Sequence, residues 1–374
     1  MSKPPPIAVK EPPLPRPHEV RIPSPRPGPR PVILHVIANF WIGGSAQLVV
    51  DLIEGLGDRF EQKVVSRDLP RKPGYTNLEL HHYPEMSEEI AAECLRRFEP
   101  DLIHVHFLGH HDDPYSEADW RWYDALFRAA GTRWPIVENL NIPVEPYLSP
   151  AVSVYVCVSD YVRTAYAADA SPALTIHPGS DLGHFSRANP AVGEADPDAF
   201  GMAYRLEGDK LNDESIEPFI AAARRRPSTK ALIVGGGTLF ERYWRRVDAA
   251  GLSPSFEFTG YVPYRELPAH IGRMSVFVAP VHWESFGQVS VFAMGLGLPV
   301  VGYDVGGLPE ILADGEVLAP PGDCAALSQL IVDLLDDEQR RREIGRANRE
   351  RAVARFSVQA MVDRYETVYT ELLE

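Results

Sequence analysis

Residues 281–312, VHWESFGQVSVFAMGLGLPVVGYDVGGLPEIL, hold two strand-to-helix passages in a row. The apolar run SVFVAPV (275–281) leads through the acid Glu284 and the glycine Gly287 into a helical stretch from Gln288. A second run, LPVVGYDV (298–305), ends in Gly306-Gly307 before a helix from Leu308. Short continuous apolar runs alternating with amphipathic helices predict a parallel sheet covered on both faces.

The alternation extends outward in both directions. MAYRL (202–206), ALIVGG (231–236) and SFEFTG (255–260) read as strands, with helices after Ser215, Leu239, Glu266 and Ala325. Towards the N-terminus, PVILHVIANF (31–40), QKVVS (62–66), DLIHVHFL (101–108), PIVENLNI (135–142) and VSVYVCVS (152–159) are strands, with helices near 88–98 and 120–130. Between the halves, SRANPAVGEADPDAF (186–200) has the Pro, Gly and acid content of a linker. The expected fold class is α/β, with two Rossmann-like, doubly wound parallel-sheet domains. The domains run from 31 to 186 and from 201 to 356, with a linker at 187–200. A last amphipathic helix, 357–374, carries Met361, Tyr365, Val368, Tyr369 and Leu372 on one stripe and must dock on something. Residues 1–30 contain eleven prolines and six basic against two acidic residues, and are expected to form a disordered, mildly basic tail.

A chain of 374 residues is long enough for two or three domains. Its formal charge of −15 argues against a nucleic-acid protein working through a net basic field. The charge run DDEQRRREIGRANRERAVAR (336–355) reads as a solvated helix face with ion pairs. Cys94, Cys157 and Cys324 lie far apart, which suggests neither disulfides nor a thiolate zinc site and fits a reducing, cytoplasmic setting. No apolar run is long enough to span a bilayer, and no signal peptide is expected.

Two Rossmann-like halves raise the question of a dinucleotide, yet no G-x-G-x-x-G follows an early strand. Glycines instead mark three strand-to-helix turns, at Gly43-Gly44, Gly235-Gly236-Gly237 and Gly306-Gly307, where backbone N–H groups can meet phosphate. Arg205 and Lys210, five positions apart just after a strand, are placed to clamp a diphosphate. The segment HVHFLGHHDD (104–113) raises a metal alternative, since His104 and His106 alternate onto one strand face. No third ligand at a diagnostic spacing is apparent, so no bound metal is expected. The aromatic group Trp120, Trp122, Tyr123 and Phe127 has helical spacing and is read as core or binding-site wall, and Cys157 as inert core.

With these residues in place, the chain resembles the retaining GT-B glycosyltransferases of the family 4 type (glycosyl transferases group 1). Their signature is E-x-F-G-x-x-x-x-E-A-x-A-x-G-x-P-V-V, followed by G-G-x-x-E. Glu284, Phe286, Gly287, Ala293, Gly297, Pro299, Val300, Val301, Gly306, Gly307 and Glu310 match it. The resemblance also takes in Gly43-Gly44, HVH (104–106), HPGSDLGHF (177–185), Arg205 with Lys210, and FTGYVP (258–263).

The resemblance implies two domains facing across a cleft and a sugar moved from a nucleotide donor, UDP- or GDP-linked, to an acceptor hydroxyl with retention of configuration. Glu284 would accept hydrogen bonds from donor-sugar hydroxyls. Arg205 and Lys210 would neutralise the diphosphate, and the helix start at Gly306-Gly307 would add amide donors. Phe286 and Gly287 would line the donor site, Gly43-Gly44 would approach the phosphate, and His106 would face the donor sugar and acceptor. The acceptor is a glycan, a glycolipid or a small metabolite. No metal or further cofactor is implied, and lipid-linked acceptors would bring peripheral contact with a membrane.

Two positions depart from the family. Its second glutamate, usually a ligand for ribose hydroxyls, is Phe292 here, and its Thr-x-His is Asn139-Leu140-Asn141. Losing a charge-assisted pair costs on the order of 1.5–3 kcal/mol. Phe292 therefore raises two other readings, a catalytically silent relative that binds a partner glycosyltransferase and a sugar-nucleotide epimerase on the same fold.

Overall fold

A computed structural model describes residues 17–41, 43–70, 74–108, 117–313 and 315–374. His110, His111, Asp112 and Asp113 of the histidine-rich segment, and residues 1–16 of the tail, lie outside them. The described residues form two compact units: an N-terminal unit of 17–179 with 358–374, and a C-terminal unit of 180–357. Among the described residues no helix is long and apolar enough to cross a membrane.

The N-terminal unit contains strands β1 (His18–Glu19), β2 (Val32–Asn39), β3 (Glu61–Asp68), β4 (Tyr75–Thr76), β5 (Leu80–His82), β6 (Leu102–Phe107), β7 (Ile136–Leu140), β8 (Val154–Cys157) and β9 (Ala173–Thr175). Its helices are α1 (Gly44–Leu56), α2 (Glu88–Phe98), α3 (Glu117–Ala130) and α4 (Asp160–Ala165). Seven strands form a parallel sheet in the order β5-β3-β2-β6-β7-β8-β9. Every residue of β6 and β7 is buried, His104, His106, Glu138 and Asn139 included, because the sheet is covered on both faces. Ser87 and Ser159 accept from backbone N–H groups three residues on and start α2 and α4.

The C-terminal unit contains β10 (Ala199–Ala203), β11 (Lys230–Val234), β12 (Phe256–Gly260), β13 (Val276–Ala279), β14 (Val300–Tyr303) and β15 (Leu318–Ala319). They form a second parallel sheet in the order β12-β11-β10-β13-β14-β15. Its helices are α5 (Glu217–Arg225), α6 (Phe240–Ala249), α7 (Leu267–Ile271), α8 (Gln288–Gly295), α9 (Leu308–Leu312), α10 (Cys324–Asp336) and α11 (Glu338–Phe356). Both sheets grow from a central strand first to one side and then to the other, the doubly wound order.

The last helix, α12 (Val358–Leu373), belongs to the N-terminal unit. Met361, Val362, Tyr365, Val368 and Tyr369 close a core built from Leu48, Leu52 and Leu56 of α1 and from the sheet residues Ile33, Leu102, Val137, Val154 and Val156. Each such side chain, fully buried, contributes about 1.5–3 kcal/mol.

Two expectations are corrected. Residues 17–30 are not a disordered tail: β1 pairs with β4, Val20 is buried, and Arg26 and Arg30 bond Asp58 and the Gly57 and Phe60 carbonyls. A proline-rich segment builds no core of its own, but it can lie extended along one that exists. The chain passes between units at Gly179/Ser180 and Ser357/Val358, whereas 187–200 lies wholly within the C-terminal unit. There Arg187 bonds three backbone carbonyls, and β10 already begins at Ala199, which is buried and pairs with Lys230 of β11.

Candidate active site

Doubly wound sheets bind ligands off the carboxyl ends of their strands, where the strand order reverses. In the C-terminal unit that point lies between β10 and β13. The chain leaves β10 through Tyr204, Arg205 and Lys210, and leaves β13 through Glu284. Lys210 Nζ donates to Glu284 Oε1 at 2.6 Å, and the His282 N–H donates to the Lys210 carbonyl at 3.0 Å. Glu284 is 1% exposed while Lys210 is 32% exposed, so a buried carboxylate holds a cation whose outer side is open. The buried Tyr204 hydroxyl stands nearby. Burial and the Glu284 charge raise its pKa further, so it remains a neutral donor.

The turn at Gly306-Gly307 lies directly on this loop. A Cβ at Gly306, whose φ is +55°, would meet the Glu284 carbonyl oxygen at 1.9 Å. The Gly307 N–H donates to that same oxygen at 3.0 Å, and the Leu308 N–H to Val305 at 3.1 Å. These two amides are therefore spent within the protein, and α9 has only five residues with a proline near its start. The Gly307 amide expected to meet the donor phosphate instead holds the Glu284 backbone in place. Phe286 is 4% exposed and packs edge-on against Phe356 at 5.6 Å, and Gly287 adopts a φ of +107° to start α8. Both support the loop from below.

Arg205 lies on the same strand exit, but its guanidinium is exposed and bonds Asp209 at 2.7 Å, not Glu284. Gly43 and Gly44 lie in the N-terminal unit, at the exit of β2 into α1. Gly43 is extended, and among the described residues nothing stands within 4 Å of a Cβ at Gly44 and no side chain caps the helix. The described residues make no demand for glycine at these two positions.

His106 is corrected most. It is fully buried on the face of the N-terminal sheet that α1 and α12 cover. Period-2 alternation places His104 and His106 on one face, and the β2–β6 register sets His35 opposite His104. His35 Nδ1 and His106 Nε2 share a hydrogen bond of 3.1 Å, His35 Nε2 and Gln62 share one of 2.9 Å, and His104 Nδ1 and Tyr369 Oη share one of 2.6 Å. Burial lowers the His35 pKa to about 4 and holds His104 and His106 well below the ordinary 6.5, so all three are neutral. One nitrogen from each lies within 4.8 Å of the others, a spacing that admits a metal ion. The trio brings no anionic ligand, so an ion there would bury uncompensated charge.

Asn139 joins the same interior network: it accepts from Tyr365 Oη and donates to Asn141. Phe292 stacks on Phe185 with centroids 3.9 Å apart and an interplanar angle of 3°, and Tyr264 packs edge-on against it at 5.8 Å. Trp122, Tyr123 and Phe127 are core, and burial pushes the Cys157 thiol up to about 12. Sequence reasoning missed His35 and Gln62, and placed Tyr369 on a docking stripe without its bond to His104; the histidine in ILHV was visible, but its partners were not.

Residues 190–351 match the family Glycosyl transferases group 1. A 2-deoxystreptamine N-acetyl-D-glucosaminyltransferase of Streptomyces fradiae is 34% identical over 144 residues, 36% of this chain and 34% of that protein. A GDP-mannose-dependent alpha-(1-6)-phosphatidylinositol monomannoside mannosyltransferase of Mycolicibacterium smegmatis is 31% identical over 215 residues, 52% of this chain and 56% of that protein. The matches thus span from a third to just over half of these curated relatives. The crystal structure of Anabaena Alr3699/HepE in complex with UDP superposes with a TM-score of 0.71 at 19% identity, covering 91% of this chain and 100% of that one. That likeness concerns the fold, which is the GT-B fold.

Proposed function

We propose that the chain is a glycosyltransferase that moves a sugar from a nucleotide-sugar donor to an acceptor hydroxyl with retention of configuration. The observation that carries this reading is the Lys210–Glu284 pair at the strand-order reversal of the C-terminal sheet. The relatives named above are glycosyltransferases, one of them GDP-mannose-dependent, and the fold neighbour holds UDP.

In this mechanism the open side of Lys210 meets the diphosphate of a UDP- or GDP-sugar, and Arg205 turns from Asp209 to the same anion. Glu284, fixed by Lys210 and by the Gly306-Gly307 turn, accepts hydrogen bonds from the sugar hydroxyls. The acceptor hydroxyl attacks on the face from which the diphosphate leaves, and a diphosphate oxygen takes its proton. Charge develops on the leaving group, so preorganised cations supply the stabilisation and no metal is required. The uncapped α1 N-terminus at Gly43-Gly44 is a second anion-binding end. The acceptor is a glycan, a glycolipid or a small metabolite, reached without nucleic acid.

Isothermal titration with UDP, GDP, ADP and TDP tests the reading, on the parent chain and on Lys210→Ala and Arg205→Ala. Binding of one nucleotide, weakened in either variant, followed by transfer from the matching sugar donor, is the expected result. Binding of none overturns the donor site and moves the partner-binding reading to first place. Release of free epimerised donor without an acceptor would favour the epimerase.

A further inference from the structure

A groove of about 760 Å³ opens in the C-terminal unit at the C-terminal end of α8, one helix length, roughly 12 Å, from the Glu284 loop. Arg187, Arg342, Arg346 and Arg349 surround it, with one carboxylate, Glu350, and with exposed apolar surface from Val353 and Ala354. Val353 is 47% exposed on its rim.

The charges are poorly matched within the protein. Arg187 is exposed and, among the described residues, bonds the carbonyls of Leu296, Gly193 and Gly272. Arg349 bonds the Gly295 carbonyl and Ser186 Oγ. Among the described residues neither these two nor Arg346 lies in an ion pair, and Arg342 pairs only with exposed Glu338 one turn away. Helix α11 as a whole carries seven arginines against three glutamates, in a chain of net charge −15. The face is solvated and carries the Arg342–Glu338 and Arg340–Glu316 pairs, as expected, but around the groove its arginines outnumber its carboxylates.

We propose that this groove binds the phosphate headgroup of an acidic phospholipid, with Val353 and Ala354 against the apolar region beneath it, and so seats the C-terminal unit on an anionic membrane surface. The ligand chemistry follows from the lining. Clustered guanidinium groups select phosphate. An adjoining apolar rim selects an amphiphile over a polynucleotide or a free anion. A strongly acidic chain approaches an anionic surface only through a local cationic patch of this kind.

Sedimentation of the full chain tests this with vesicles of phosphatidylcholine alone and of phosphatidylcholine containing one-third phosphatidylglycerol. Binding to the anionic vesicles only, weakened by salt, is expected. In R342Q/R346Q, whose side chains are exposed and whose loss leaves the core intact, binding should fall roughly tenfold or more. V353D should weaken it as well, with an unchanged urea midpoint confirming the fold. Equal binding to both vesicle types, or none, overturns the proposal. So does undiminished binding of R342Q/R346Q, which would assign the contact to the basic N-terminal segment. Full competition by millimolar inorganic phosphate at constant ionic strength would also overturn it, in favour of a small-anion site.

Discussion

Tyr369 and His104, 265 positions apart in the chain, share a hydrogen bond of 2.6 Å in the interior of the N-terminal unit. The phenol comes from α12 and the imidazole from β6, so the bond ties the last helix to the sheet that began the fold. His104 Nε2 has no partner among the described residues, which leaves Tyr369 as the imidazole's one hydrogen bond. Tyr369→Phe keeps the ring and orphans both nitrogens, at a cost of about 1–3 kcal/mol. Tyr369→Ala adds a cavity and should cost about 3–5 kcal/mol. Urea unfolding followed by fluorescence reads both, and an unshifted midpoint in Tyr369→Phe would show that the bond adds nothing.

The same interior sets a pH dependence. His35, His104 and His106 are neutral in the fold well below pH 6.5, while in the unfolded chain they take up protons below that value. The unfolded state then binds more protons, so stability must fall as pH falls. Three such groups give a slope approaching 4 kcal/mol per pH unit between about 6.5 and 4. Burial of Glu138 acts in the opposite sense: its carboxyl is held protonated well above the ordinary 4.5, and that contribution fades as pH rises. It offsets roughly a third of the slope. Urea midpoints from neutral pH to about pH 5 should therefore decline steeply. A flat profile would mean that the histidines gain protons without unfolding.

At the candidate site, stability and ligand binding separate in a double-mutant cycle. Lys210→Ala leaves buried Glu284 without its cation and should destabilise the C-terminal unit by about 1–3 kcal/mol. Adding Glu284→Gln removes the orphaned charge and should restore most of that loss. Nucleotide diphosphate binding should fall about ten- to a hundredfold in Lys210→Ala and stay low in the double variant. Recovery of binding along with stability would show that Lys210 acts only by holding Glu284.

The glycine turns make opposite predictions. Gly306→Ala forces a Cβ to within 1.9 Å of the Glu284 carbonyl at a positive φ, so the loop must shift and both stability and transfer should drop sharply. Gly44→Ala meets nothing within 4 Å and improves helix propensity by up to about 1 kcal/mol. It should leave the melting temperature unchanged or raised. A loss of transfer in Gly44→Ala without a loss of stability would identify that helix start as a ligand contact, whereas full transfer would remove it from the site.

What the amino-acid sequence determined was local in origin. Alternating apolar runs and helical stripes set the parallel sheets, and the spacing of Glu284, Gly287 and Gly306-Gly307 located the candidate site, because each depends on residues a few positions apart. Only the tertiary structure decided which groups meet. Lys210 reaches Glu284 across 74 positions, and His35 faces His106 across 71. His106 is interior because α12 returns over its sheet face, and Phe292 is core because Phe185 stacks on it. Short strands such as β1 and β9 escaped the pattern for the same reason: two or three residues carry no period, and it is the neighbouring strand that makes them extended. Burial and pairing are properties of register and chain return, and neither is contained in any one segment.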